Sequence, residues 1–522
     1  MSQIITNKET NLDKIQVGPI KEDSKPIIEI ESDVKASKSE WTNFEKIIFR
    51  IAFIFFGIFC IPWDAGFYRF LYNLDYAHIT YGNLTEIVAF FNPQFVNIFS
   101  ESGFFGWASY INFPFVLIIA IIGGLIWTAL DKNKKEYNIL YYWVRVLARY
   151  RVAYAGIAWG YKKLFIMQMP FPNTGLQHTD FIDFFAKRLY WESLGIAPYY
   201  EVFLGFAEFL AGFLLLFRKT TSIGAIMAFI VFGNIAIANH SYDIGEQVPS
   251  AAMAMLALFV FWFYLPGIYK LIVKQENVQI ANFYPSFSVK WQNYARLSVK
   301  YAFNFVFVIL FFGLEVYAFT HNDFYKIPNT PGLKDSKGYY NVTEFKLNGK
   351  IIPYSPNDSI RWHDVTFEDW SSLSFKVVNR PQQIQMFAAG SYPRLGEVYD
   401  GKWSINWEGD IRRFGSEGSK KHKKRDPAKR DLNINWELSG VGNERKWYHY
   451  KADTVNQILY LQNKNKVDRN QKQVLHYTRP SDSRIILWGI NEFKDSIYVI
   501  LDKENSIVPL LKDGRKPVPE FK

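Results

Sequence analysis

The stretch Glu201-Val-Phe-Leu-Gly-Phe-Ala-Glu208-Phe-Leu-Ala-Gly-Phe-Leu-Leu-Leu-Phe217 places a carboxylate, that of Glu208, in the middle of an apolar run. The run is long enough to cross a lipid bilayer. An ionised carboxylate in hydrocarbon is unfavourable by several kcal/mol unless it is paired or protonated. The stretch therefore predicts a membrane helix with a polar partner for Glu208.

Six further apolar runs surround this one and predict a polytopic bundle. The seven predicted spans cover residues 47–70 (broken by Pro62), 113–130, 144–165, 199–217, 223–238, 250–272 and 301–319. Lys and Arg gather before the odd-numbered spans and after the even-numbered ones, as expected when basic loops stay in the cytoplasm. The pattern predicts an inner (plasma) membrane protein with a cytoplasmic N-terminus and an extracytoplasmic C-terminal half.

The composition narrows the functional classes. The 522 residues carry a net charge of +11, which a multispan protein places in its cytoplasmic loops, so we expect no nucleic-acid partner. The single cysteine, Cys60, excludes an intrachain disulfide and a cysteine-based zinc site.

The pattern predicts five segments. They are a disordered cytoplasmic tail (1–44), two N-terminal transmembrane helices with an interfacial loop (45–142), a four-helix membrane core (143–274), a cytoplasmic linker with the last transmembrane helix (275–320), and an extracytoplasmic β domain (321–522). In the tail, alternating Lys, Asp and Glu with few aromatic residues are typical of disorder.

The last segment alternates polar and apolar residues with period two, which is typical of β-strands. Predicted strands cover 343–352, 370–378, 403–407, 432–438, 457–462, 484–490 and 495–501, with a hairpin at Asn348-Gly349. We expect an antiparallel barrel of lipocalin-like type, with a two-sheet sandwich as the alternative. For the basic run 419–430, a solvated loop is favoured over contact with anionic lipid or a partner.

Residues 149–270 resemble the DoxX family of small four-helix bacterial membrane proteins, named after a subunit of a thiosulfate:quinone oxidoreductase. The similarity is carried by 149–165 (Arg149 at the start of a helix, Gly160 and Lys163 near its end), by 208–220 (from Glu208 to Thr220) with Gly224, and by Asn239-His-Ser-Tyr242-Asp243. The resemblance implies a four-helix core with a quinone-linked redox role, so a quinone is the cofactor it suggests.

The candidate site lies around Glu208. Candidate catalytic residues are Glu208, Arg149 and Lys163, and candidate substrate- or quinone-binding residues are Tyr154, Asn234, Asn239, Tyr242 and Asp243. Their depth in the helices favours a contact of Lys163 with Glu201, and a contact of Glu208 with Arg149, Tyr154 or Asn234. Such a site would hold a quinone head group or relay a proton. In the alternative, Glu208 and Arg149 only hold two helices together.

The loop 239–247 combines His240 with Asp243 and Glu246, a set of side chains that could bind a metal. One histidine beside two acids is also an ordinary loop composition. The sequence therefore predicts no metal site.

Three functional hypotheses remain. The first is a quinone-linked redox or accessory membrane protein, as the resemblance implies. The second is a membrane scaffold whose external β domain binds a protein partner. The third is an enzyme like the vitamin K-dependent gamma-carboxylase, which also joins a multispan bundle to an external β domain, an architectural analogy only.

Overall fold

A computed structural model describes residues 40–63, 65–89, 93–98, 106–277, 289–378, 403–405, 431–434, 436–442, 444–465, 468–506 and 508–516. Residues 1–39 of the predicted tail and the basic run 419–430 lie outside these ranges. The structure therefore does not bear on the predictions for those two segments.

Seven long helices lie in the described part of the chain, one at each predicted position. They are α1 (Asn43–Cys60), α2 (Asn112–Leu130), α3 (Asn138–Leu164), α4 (Pro198–Leu215), α5 (Thr221–Ser241), α6 (Gln247–Trp262) and α7 (Lys290–Thr320). Helix α1 begins at a reciprocal cap, in which Thr42 and Glu45 each accept a hydrogen bond from the other's backbone N–H. It ends before Pro62, where the predicted break occurs.

Among the residues that the structure describes, four helical segments are long and apolar enough to cross a membrane: Ser109–Leu130, Pro198–Leu215, Arg218–Ser241 and Lys290–Thr320. Helix α6 and the short helix Leu265–Ile272 would make a fifth if the pair, bent by 67°, is one span. Helices α1 and α3 contain too many charged residues to count as candidate spans, and α3 alone contains five Lys and Arg residues. The helical region is thus membrane-like with four or five candidate spans, and the count of seven stays a prediction.

Helices α3 and α4 touch backbone to backbone through glycines. A Cβ atom added to Gly160 would lie 2.7 Å from the backbone nitrogen of Phe209, and one added to Gly212 would lie 2.5 Å from the carbonyl oxygen of Ala153. Small residues allow this close approach between membrane helices. Two further glycines are confined in the same way, Gly156 and Gly205. This contact fixes the level of each α4 side chain relative to α3.

The C-terminal part is an eight-stranded antiparallel barrel. Its strands are β1 (Gly338–Leu347), β2 (Asp364–Phe367), β3 (Ser372–Lys376), β4 (Arg445–Asp453), β5 (Ile458–Asn463), β6 (Lys472–Ser481), β7 (Arg484–Ile490) and β8 (Ser496–Lys503). Each strand pairs with the next, and β8 pairs with β1 to close the barrel. The barrel prediction is confirmed, and the two-sheet sandwich is wrong.

Turn chemistry explains which strands the sequence revealed. Asn348 and Gly349 both have positive φ, at 50° and 76°, as the predicted hairpin requires, and Lys350–Ile351 returns to pair with β1. The predicted strand 432–438 is wrong, since Trp436–Leu438 is a 3-10 helix. Strands β2, β4 and β6 were missed. Strand β2 is buried on both faces, so its residues do not alternate between polar and apolar. Residues 403–405 of the predicted strand 403–407 do form a strand, but they pair with residues 96–98 outside the barrel.

The inside of the barrel is filled by its own apolar side chains. Tyr340, Phe367, Phe375, Tyr448 and Tyr450 are all at most 1% exposed and belong to one continuous hydrophobic cluster. The aromatic rings of Phe375 and Tyr448 stack at 5.4 Å. Large aromatic and aliphatic side chains that fill a barrel of this size make a packed core.

The outer face of β2–β4 packs against the loop between α3 and α4. The Glu368 carboxylate, just after β2, accepts hydrogen bonds from the backbone N–H groups of Thr174 (3.0 Å) and Gly175 (2.9 Å). Gly175 lies so close to Trp447 that an added Cβ would be 2.4 Å from its ring. Arg445, on β4, donates to the carbonyl oxygen of His178 at 3.1 Å. The barrel is therefore docked on the helical region through a buried, polar surface.

The α3–α4 contact yields a stability prediction. Gly212→Ala should lower the thermal unfolding midpoint of the purified protein, because the new methyl group would push the two backbones apart. Gly233→Ala is the matched control, since a Cβ at this helical position meets nothing within 4 Å. Differential scanning fluorimetry in mild detergent measures both. Equal midpoints for the two variants would contradict the proposed constraint.

The barrel docking yields a pH prediction. Burial raises the pKa of Glu368 to about 7 from a usual value of 4.5. Between these pH values the folded protein keeps a proton that the unfolded chain has lost, so this group makes the free energy of unfolding fall as the pH rises from about 4.5 to about 7. Glu368→Gln, which is neutral throughout, should remove up to about 3 kcal/mol of that fall.

Unfolding midpoints at pH 5 and pH 8 test this prediction, with Glu344→Gln, at a partly exposed position within β1, as the control. The wild type and the control should share one pH dependence, and Glu368→Gln should be flatter. If all three proteins respond alike, Glu368 does not couple docking to pH.

Candidate functional site

A buried ion pair joins α3 to α4 at the barrel end of the bundle. Lys163 Nζ lies 2.6 Å from Glu208 Oε1, and the two side chains are 7% and 2% exposed. The other carboxylate oxygen of Glu208 is buried and accepts no hydrogen bond from the described residues. Removing both charges from water is costly, so a pair at this depth indicates a specific role for the two groups.

The predicted partners of these groups were wrong. Glu201 does not bind Lys163, because its Oε1 accepts hydrogen bonds from the backbone N–H groups of Gln168 (3.2 Å) and Met169 (2.9 Å). A helical side chain leans toward the N-terminus of its own helix. Lys163 therefore points deeper into the bundle, where Glu208 lies, rather than outward to Glu201.

A second buried carboxylate, that of Glu315 on α7, lies near the neighbouring residue Lys162. Glu315 is 0% exposed, and neither of its oxygens accepts a hydrogen bond from the described residues. Lys162 interacts electrostatically with Glu315, and its ammonium lies over the rings of Tyr81 (4.8 Å) and Tyr325 (4.5 Å). Two adjacent lysines of α3 thus face carboxylates on two different helices.

The segment between α7 and the barrel covers this charged region. Lys326 donates a hydrogen bond to the carbonyl oxygen of Gln168, and its ammonium lies between the indoles of Trp191 (4.1 Å) and Trp436 (3.9 Å). Burial lowers the pKa of Lys326 well below its usual value, while the nearby carboxylate of Glu201 opposes that shift. The barrel end of the bundle is therefore closed by the linker and by the loop before α4.

Three predicted site residues lie elsewhere. Arg149 precedes Lys163 by 14 residues on α3, about 21 Å along the axis, and donates to Thr221 Oγ1 at 3.2 Å. Tyr154 donates to Asn304 Oδ1 at 2.9 Å. Asn234 is exposed on the outer surface of α5. Neither Arg149 nor Asn234 is a partner of Glu208, so the alternative of an inert Glu208–Arg149 pair is also wrong.

The loop after α5 forms its own set of contacts. Asn239 donates to the Glu246 carbonyl and to Ser250 Oγ, both at 2.9 Å, and so joins α5 to α6. The amide of Gln247 donates to Asp243 at 2.8 Å, and the Tyr242 ring lies 4.9 Å from that of Tyr190. These contacts stabilise the turn and do not reach Lys163.

His240 is engaged away from the acids of its loop. Its Nε2 lies 2.9 Å from the Tyr110 hydroxyl, and its Nδ1 contacts the Ala236 carbonyl. Among the described residues, the carboxylates of Asp180, Asp183 and Glu444 lie within 4.8 Å of one another. The ammonium of Lys376 binds Asp180 there and already supplies a positive charge.

Comparison with known proteins assigns no function. No protein-family model matches the chain, and no solved structure matches it. A stretch of 72 residues is 36% identical to the uncharacterized protein YwoB of Bacillus subtilis (strain 168). The match spans 14% of this chain and about half, 47%, of YwoB. The DoxX resemblance therefore continues only as a proposal.

The Lys163–Glu208 pair yields a stability prediction. Lys163→Met should lower the free energy of unfolding by about 3–5 kcal/mol, because it leaves a carboxylate buried without its counter-charge. The double variant Lys163→Met/Glu208→Met should lose less than the single one. Lys219→Met, at an exposed lysine, is the control.

Denaturant unfolding in mild detergent gives the interaction energy of the double-mutant cycle. An interaction energy near zero would mean that the two groups are not coupled.

Proposed function

We propose that the helical region holds a quinone head group at its barrel end and delivers protons to it. The observation that carries this proposal is the pair of adjacent lysines, Lys162 and Lys163, each facing a buried carboxylate on a different helix. Reduction of a quinone to a quinol adds two electrons and two protons, one proton to each oxygen. The Lys163–Glu208 ion pair and the neighbouring Lys162, which interacts with Glu315, match that requirement.

The surroundings of the two pairs suit a flat, apolar head group. The rings of Tyr161 and Phe209, on the same two helices as Lys163 and Glu208, lie 5.3 Å apart, and those of Tyr81 and Tyr325 flank Lys162. Sites for such ligands combine an apolar lining with a few polar groups that fix orientation. Glu208 and Glu315 have buried carboxylate oxygens that accept no hydrogen bond from the described residues. In this proposal these oxygens are available to a ligand.

The electrons must come from another molecule, because the only cysteine, Cys60, rules out a dithiol within this chain. In this proposal the protein is a quinone-binding accessory subunit that accepts electrons from a partner. That role agrees with the DoxX resemblance of residues 149–270. With all seven helices crossing the membrane, the N-terminus would be cytoplasmic and the barrel extracytoplasmic.

A second candidate function is a scaffold that presents the barrel to a protein partner. One observation favours it: apolar side chains are exposed on the outer face of β5–β7, where Tyr460 pairs with Val474 and Val474 with Ile490, next to Trp488. Contiguous exposed apolar surface marks interaction sites. Because the barrel interior is filled, a lipocalin-like role in small-ligand transport has less support than a protein contact.

Retention of quinone in the purified protein tests the primary proposal. After extraction in a mild detergent, mass spectrometry should detect a quinone with the wild type and with the control Glu344→Gln. Glu208→Gln and Glu315→Gln, at unchanged abundance, should retain at least about tenfold less, equivalent to about 1.4 kcal/mol of binding free energy.

If the wild type retains no quinone, and added ubiquinone and menaquinone do not raise its unfolding midpoint, the proposal fails. A protein partner captured by mild cross-linking under those conditions would then favour the scaffold.

A further inference from the structure

Helix α5 carries a polar side chain, that of Asn234, on its outer surface. Asn234 is the single polar residue in 223–238, and this stretch lies within the candidate span Arg218–Ser241. The residue is exposed, and its side-chain amide forms no hydrogen bond with the described residues. It precedes the last residue of the helix, Ser241, by seven positions, about 10 Å along the axis. When α5 crosses a membrane, this amide lies at a depth where hydrocarbon surrounds it.

An amide at that depth requires a partner that lipid does not supply. Acyl chains offer no hydrogen bonds, so an unpaired amide among them is unfavourable. A lysine can extend its charged end to the interface, but an asparagine side chain is too short to do so. Polar side chains at such positions join membrane helices by hydrogen bonds. Asn234 therefore indicates that another helix contacts the outer surface of α5.

The exposed residues around Asn234 form a stripe along the helix. Ile223, Ile230 and Ile237 are 56%, 61% and 69% exposed and are spaced seven residues apart. Asn234 lies four residues after Ile230 and three before Ile237, which is the spacing of the two contact positions of a heptad repeat. Two helices can pack along such a stripe, and a single asparagine within it fixes their register.

The partner that fits this stripe best is a second copy of the chain. An amide has N–H donors and a carbonyl acceptor, so two identical amides can each donate to the other. Copies inserted with the same orientation are related by a twofold axis along the membrane normal, which puts the same residue of each at the same depth. A twofold axis beside α5 therefore brings the two Asn234 amides together, whereas an unrelated helix would need a polar group at this one depth.

We propose that the stripe of Ile223, Ile230, Asn234 and Ile237 is the contact surface of a homodimer. The two Asn234 amides bind each other, and the isoleucines pack on either side of them. The contact uses neither Lys163 nor Glu208, so it holds whether or not the bundle binds a quinone.

Disulfide cross-linking in membranes tests the geometry of the dimer. The one cysteine of the chain, Cys60, is buried, so the wild type should give no cross-linked dimer. Ile237→Cys should form a disulfide-linked dimer on oxidation, because the same residue of two copies lies close together beside a twofold axis. Ile118→Cys, at an isoleucine of α2 that is 55% exposed, is the matched control and should stay monomeric.

Dimer affinity tests the role of the amide. Full-length protein with a donor or an acceptor fluorophore at its N-terminus is reconstituted into phosphatidylcholine vesicles, and energy transfer is followed as the protein-to-lipid ratio falls. Asn234→Leu should weaken dimerisation by at least about tenfold, and the control Ile118→Leu should change it less than about twofold. Asn234→Gln keeps the amide and should retain most of the affinity.

A thermal measurement separates loss of the dimer from loss of the fold. Because Asn234 is exposed within one copy, Asn234→Leu should leave the unfolding midpoint of the monomer unchanged in dilute detergent.

Any of four results would overturn the proposal. A monomer at every protein-to-lipid ratio, or equal dimer affinities of the wild type and Asn234→Leu, would show that this amide does not join two copies. Equal cross-linking of Ile237→Cys and Ile118→Cys would indicate random collisions. Cross-linking of Ile237→Cys to a different protein in cells, without a dimer, would assign the stripe to another membrane partner.

Discussion

The backbone contact between α3 and α4 determines where the buried charges of the helical region meet. Glycines on both helices let the chains approach until an added methyl group would collide with the opposite backbone. At that separation the lysine at the end of α3 leans back along its own helix and meets Glu208 in the middle of α4. With larger residues at the crossing, the ammonium and the carboxylate would be farther apart and each would be buried alone.

The barrel completes this arrangement from outside the bundle. Its interior is satisfied by its own aromatic and aliphatic side chains, so its structure requires no ligand. Its outer face is polar where β2–β4 pack on the loop before α4, and Glu368 satisfies two backbone N–H groups of that loop. The same loop supplies Gln168 and Met169, whose backbone holds Glu201. Barrel docking and the geometry of the charged end are therefore linked through one segment of chain.

The sequence predicted the helices better than their contacts. Apolar runs located all seven long helices, and period-two alternation with the Asn348-Gly349 turn indicated a barrel. The argument that singled out Glu208 applies equally to Glu315 in the run before Thr320, and that signal was overlooked. Nothing in the sequence indicated that Lys326 would be buried between two indoles, because its partners Trp191 and Trp436 are far away in the chain. Choosing Arg149 as a partner of Glu208 failed because depth along a helix does not report the direction of a side chain.

Helix α3 explains why there are fewer candidate spans, four or five, than long helices, of which the described residues form seven. Seventeen of its 27 residues are buried, including all five of its cations. Hydropathy scores assume that a spanning helix faces lipid, whereas a helix enclosed by its neighbours can keep charges wherever those neighbours provide partners. At one end of α3, Lys163 forms an ion pair with Glu208 and Lys162 interacts with Glu315, and at the other end Arg149 donates to the Thr221 hydroxyl. Helix α3 is therefore an enclosed helix whose charge is balanced at the barrel end by acids of its neighbours.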